Sequence, residues 1–224
     1  MGRLILCGLA AMGFVLAAPA GARAGILVLQ LDTEFSGGTP PEGAAPWLTV
    51  TIDDGGAAGS VTLTLAATNL TDAEFVSQWN LNLDPLLDPT DLIFSAPTKV
   101  GTFDSPTIST GVDAFTADGG GKYDIDFAFA TSGAGGGVHR FGVGDSVQYT
   151  VTGVPTLVAS SFDFFGAPHG NHGPFETAAH VQAIGSSDSD SGWVTGIGVA
   201  IPEPASAALV LSGLAAVIAL RRRR

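Results

Sequence analysis

The chain has 224 residues, 31 of them glycine, with 46% apolar and only 13% charged residues, a mixture that excludes a coiled coil, a helical bundle and a charge-rich disordered chain. Its formal charge is −12, and the three bases between Gly25 and Ile201 (Lys99, Lys122 and Arg140) face all but one of the 21 acids, so the protein is unsuited to gripping nucleic acid phosphates. The length fits one large all-β domain with appendages at its ends.

Residues 1–24 read as a secretory signal peptide. Arg3 supplies the positive start, Leu4 to Ala18 the apolar run, and Ala22-Arg23-Ala24 an A-x-A cleavage site before Gly25. Cys7 lies inside this segment and is not followed by a fitting mature start, so it is not read as a lipoprotein anchor. The exported chain then holds no cysteine, which excludes disulfides, thiol catalysis and cysteine-ligated metal sites.

Residues 25–200 carry strand periodicity. A strand is expected over Ile26–Phe35, followed by a hairpin of Trp47–Ile52 and Val61–Leu65 around Asp53-Asp54-Gly55-Gly56. Trp79, Leu81 and Leu83 alternate with Gln78, Asn80 and Asn82. Prolines 85, 89, 97 and 106 make Asp84–Gly121 a region of long connections with at most one or two short strands, one of them at Leu92–Ala96. Tyr123, Ile125, Phe127 and Phe129 alternate with Asp124 and Asp126, and Val147, Tyr149 and Val151 with their polar neighbours. Thr131–Gly137 reads as a flexible loop tip. Further strands are expected at Ser160–Phe165, His180–Ile184 and Trp193–Val199. About ten strands with one apolar and one wet face predict two packed antiparallel sheets, a β-sandwich of jelly-roll-like or Ig-like form.

Candidate chemistry within the domain is sparse. His169, His172, Glu176 and His180 offer ligand types for a zinc site that activates water, but their spacing is not H-E-x-x-H and Gly173-Pro174 interrupts any helix joining them. Asp188 and Asp190 superficially resemble calcium ligands, as do Asp53 and Asp54, yet no EF-hand glycine and glutamate follow; a solvated turn is the preferred reading. No G-x-S-x-G elbow is present, and Asp124 and Asp126 share a strand face without further pattern. Trp47, Trp79 and Trp193 are the aromatic candidates for stacking on sugars, Trp79 being assigned to the core.

At the C-terminus, Pro202-Glu203-Pro204 precedes Ala205 to Leu220, sixteen uncharged residues, and then Arg221, Arg222, Arg223 and Arg224. As a helix the uncharged stretch spans about 24 Å, slightly short of a ~30 Å bilayer core, a gap that snorkelling arginines close. The arginines are expected on the cytoplasmic side and the domain outside.

These three parts resemble a PEP-CTERM sorting signal of Gram-negative bacteria that make extracellular polysaccharide. The resemblance covers residues 201–224, with the signal peptide as its companion. It implies that an exosortase, a membrane cysteine transpeptidase, is the partner that cleaves near the motif, passing the protein from an inner-membrane intermediate to the cell surface or the medium. Residues 47–197, from Trp47-Leu48-Thr49 to His180-Val181-Gln182, also look like other exported domains with this tail, a likeness that implies no activity. The expectation is therefore a non-catalytic surface or extracellular-matrix protein that needs no cofactor. The alternatives are a carbohydrate-binding module, with calcium as a conceivable aid, and a secreted metal-dependent hydrolase.

Overall fold

The computed structural model describes residues 25–202, with side chains described to residue 199. The strands are β1 (Gly25–Leu31), β2 (Thr33–Glu34), β3 (Leu48–Asp53), β4 (Val61–Ala67), β5 (Phe75–Leu81), β6 (Ile93–Phe94), β7 (Thr98–Val100), β8 (Thr107–Thr116), β9 (Lys122–Ala128), β10 (Phe141–Gly142), β11 (Ser146–Thr152), β12 (Thr177–Ile184), β13 (Asp190–Gly196) and β14 (Gly198–Pro202). Among the described residues the only helical pieces are three short 3₁₀ turns.

All strand pairs are antiparallel and form two sheets. The first runs β14-β1-β3-β4-β11-β6, with β7 also on β11; the second runs β2-β13-β12-β5-β9-β8, with β10 also on β5. They pack face to face as a β-sandwich. The expected hairpin is present as β3 and β4, paired from Leu48↔Ala67 to Asp53↔Thr62. Its alternation puts Leu48, Val50, Ile52, Val61, Leu63 and Leu65 inside, where they meet Val76, Trp79, Leu81, Ile125 and Phe127 of the second sheet in one core. Each such side chain contributes about 1.5–3 kcal/mol by leaving water.

Several expectations are corrected. The strand expected at Ile26–Phe35 breaks at Asp32, β1 joining the first sheet and β2 the second. Trp193–Val199 likewise breaks at Ile197 into β13 and β14. Both crossings lie at one corner of the sandwich, where a Cβ on Gly196 would stand 1.6 Å from the Gln30 carbonyl oxygen, so only glycine lets the chain pass. Ser160–Phe165 is no strand: Ala159–Phe162 is a 3₁₀ turn in which the Ser161 hydroxyl accepts from the Val158 N–H at 3.2 Å and Phe162 plugs the core. Leu92–Ala96 shrinks to the two residues of β6.

The region 84–121 holds more strand than expected, including β8, whose ten residues make it the longest among those described. It is an edge strand, largely exposed, with a register shift between Thr110 and Phe115 and a positive φ at Asp113, so no apolar alternation announces it. The second sheet's outer face is also drier than expected. Asn80 is 0% exposed and Asn82 2%, because the segments around Ala117 and Phe175 fold over them.

Candidate functional site

Gly25 and Pro202, the described residues beside the two expected processing sites, are paired at one edge of the first sheet. β14 pairs with β1 in the register Gly25↔Pro202 to Leu29↔Gly198, so the first residue after the expected cleavage site faces the first residue of the expected sorting motif. β14 thus extends two residues beyond the expected domain limit at 200. Ala22 and Ala24, Glu203 and Pro204, the apolar stretch 205–220 and Arg221 to Arg224 lie outside the described residues. No helix among the described residues is long and apolar enough to cross a membrane.

Gly25 is held by Asp54 at the end of β3. The Gly25 N–H donates to Asp54 Oδ1 at 2.8 Å, and the Asp54 N–H donates back to the Gly25 carbonyl at 3.2 Å. Asp54 also accepts from the N–H groups of Gly56 at 2.9 Å and Ala159 at 3.2 Å. Both carboxylate oxygens are therefore occupied by backbone donors. Asp53 is occupied in the same way by the Gly55 N–H, at 2.8 Å.

The histidine-rich segment does not converge. His169 and His172 are exposed on the loop before β12, His172 lying 6.1 Å from the Phe35 ring. Glu176 is buried and accepts from the Gly198 N–H; burial pushes its carboxyl above the usual range, with the Gly198 bond opposing. His180 stands on β12. Among the described residues, no group of three or more His, Cys, Asp or Glu side chains is placed to hold a metal ion.

His180 has other neighbours. Cross-strand pairing brings it opposite Trp193 of β13, and the rings stack at 4.8 Å with 12° between planes. From β5, the Ser77 hydroxyl lies 3.0 Å from His180 Nδ1, and Gln182 Nε2 lies 3.3 Å from the same atom. A Gln182 amide that donates there leaves Nδ1 as acceptor and the proton on Nε2. Burial pulls the His180 imidazole below its ordinary value, partly offset by the charge of Asp118. Beside it on the sheet, Gln78 donates to Asp126 at 2.8 Å; burial raises the Asp126 carboxyl against that bond. The result is a polar face carrying one stacked, half-buried aromatic pair. Ser77 also lies 3.3 Å from the His180 carbonyl oxygen, an acceptor that competes with the ring for its single proton.

Asp124 has structural partners: its oxygens accept from the Leu83 N–H at 3.0 Å and the Asp113 N–H at 2.9 Å, tying the segment after β5 and β8 to β9. Asp188 and Asp190 are exposed and line an open cleft with Gln182, Phe75 and Arg140, whose guanidinium sits 4.1 Å from the Phe75 ring centre. A fixed cation in that cleft opposes capture of another. Trp79 is 0% exposed and donates Nε1–H to Thr177 Oγ1 at 3.0 Å, as its assignment to the core requires. Trp47 is buried too and donates to the Gly43 carbonyl at 2.7 Å, leaving Trp193 as the one half-buried tryptophan.

No family model matches the chain, and no curated protein or solved structure shows detectable similarity to it.

Proposed function

We propose that this chain is an exported, exosortase-sorted protein without catalytic activity, which acts at the cell surface or in the extracellular polysaccharide matrix. The observation that carries the reading is the tail itself: Pro202-Glu203-Pro204, sixteen uncharged residues and four terminal arginines, in that order. The signal peptide at 1–24 takes the chain into the inner membrane's export route, and the tail holds it there until the exosortase acts. The sandwich, of jelly-roll-like form in this reading, is the cargo. Its compatibility with the tail is supported by β14, which is an edge strand of the first sheet and contains Pro202, the first residue of the motif.

A second reading, a carbohydrate-binding module, is favoured by one feature, the His180–Trp193 pair with Gln78, Asp126 and Gln182 around it. Neutral polysaccharide is the matching ligand class, because the domain's acidity repels polyanions. The first reading uses no cofactor or metal, the second takes calcium as its conceivable aid, and neither uses nucleic acid.

The sorting reading is tested by replacing Pro202, Glu203 and Pro204 with alanine, or by deleting Arg221 to Arg224, in a host that makes an exosortase. The expected outcome is an unprocessed precursor retained in the membrane. Tail removal at the native rate in both variants would overturn it.

A further inference from the structure

Asp54 is 9% exposed and is held in place by three backbone N–H donors, one of them at the expected new N-terminus. These donors are neutral, and replacing one of them by a cation strengthens the contact. Among the described residues the only ion pair is His139 with Asp104; Lys99 is spent on the Phe103 carbonyl and Arg140 on the Thr131 carbonyl. The nitrogen closest to filling the role is that of Gly25, 2.8 Å from Asp54 Oδ1. A Cβ at residue 25 would stand 3.0 Å from Asp54 Oδ2, so a side chain there would press on the carboxylate.

We infer that Asp54 is the receptor for the α-ammonium created at Gly25 when the signal peptide is removed. The inference rests on the export reading, which puts the cleavage between Ala24 and Gly25. Hydrolysis of that peptide bond sends the hydroxyl of water to the Ala24 carbonyl and its proton to the Gly25 nitrogen, which takes one more proton from solvent. The amide donor that already points at Asp54 becomes a cation at the same place, and a neutral hydrogen bond becomes a charge-assisted one. Because Gly25 also pairs with Pro202, the new ion pair fastens the sheet edge from which the sorting tail departs. This places signal-peptide hydrolysis upstream of tail cleavage: the first reaction supplies the ammonium that completes the folded substrate of the second.

The test uses the full chain, exported and processed by its host. One protein keeps the native junction; a second carries Ala-Ser inserted between Ala24 and Gly25, which moves the ammonium about 7 Å along the chain while leaving the residues before the cleavage site unchanged. Each is made with and without Asp54→Asn, and the N-termini are read by mass spectrometry. The native junction is expected to melt at least about 3 °C above the insertion variant, and the difference is expected to vanish in the Asp54→Asn background. Equal melting of the two junctions, or a difference that survives Asp54→Asn, overturns the inference. Independently of how well Asp54→Asn folds, limiting acetic anhydride at neutral pH should acetylate the native N-terminus about tenfold more slowly than the displaced one; equal rates overturn the inference. Recovery of a mature chain that begins elsewhere than Gly25 refutes the signal-peptide assignment and the docking together, whereas Gly25 with equal melting refutes the docking alone.

Discussion

Tyr149, on the inner face of β11, is 2% exposed, and its hydroxyl has no hydrogen-bond partner among the described residues. Its ring is well placed, edge-on to Phe94 at 5.9 Å and 6.0 Å from Phe127. An unpartnered buried hydroxyl costs about 1–3 kcal/mol, and losing the contacts of one oxygen atom returns only a few tenths. Tyr149→Phe should therefore stabilise the domain by about 0.5–2 kcal/mol, or roughly 1–8 °C for a chain of this size. Urea titrations should show a higher midpoint at unchanged slope. Alkaline pH gives a second signature, because burial pushes the Tyr149 phenol up to about 12 from 10. Between those values the unfolded chain has released the proton that the folded chain keeps, so rising pH favours unfolding, and the advantage of Tyr149→Phe should widen above pH 10. Destabilisation by more than about 1 kcal/mol would refute the reasoning, since it would mean that the hydroxyl is satisfied in solution.

Other expectations concern protons and cations. His180 is held below its ordinary pKa, chiefly by burial, so the unfolded chain binds its proton first and stability should fall as pH drops through about 6.5. His180→Gln should remove that component in pH-dependent melting; an identical profile would contradict the assignment. The raised carboxyls of Asp126, Asp145 and Glu176 act in the opposite sense at lower pH, where protonation relieves their burial. Sodium chloride should raise the melting temperature modestly by screening the excess of acids, and calcium at matched ionic strength should add little. A calcium-specific rise of several degrees in calorimetry, lost on Asp188→Asn with Asp190→Asn, would show coordination instead.

The parts of the fold legible in the sequence are those where one strand face is apolar and the other polar. β3, β4, β9 and β11 announce themselves this way, and their inner residues form the core. β8 was hidden because an exposed edge strand needs no apolar alternation. The breaks at Asp32 and Ile197 were hidden because a chain that passes from one sheet to the other keeps β propensity on both sides of the step. Burial of Asn80 and Asn82 follows from loops that close over the sheet, which strand periodicity does not encode.

The candidate sites divide along the same line. Trp79 was readable as core from its own strand, whereas the Ser77–His180 contact joins residues 103 apart and the Ala159–Asp54 bond joins residues 105 apart. Such pairs depend on register and connection, and only the folded arrangement supplies them. The pairing of Gly25 with Pro202 belongs to the same group, although both residues stand out in the sequence as neighbours of expected cleavage sites.

The claim that this is an exported, tail-sorted domain is tested most directly by mapping both termini of the protein recovered from the cell surface and the medium by mass spectrometry. The account predicts a chain that begins at Gly25 and ends near Pro202 to Pro204, without residues 205–224. Recovery there of a chain that still carries Arg221 to Arg224 would contradict it.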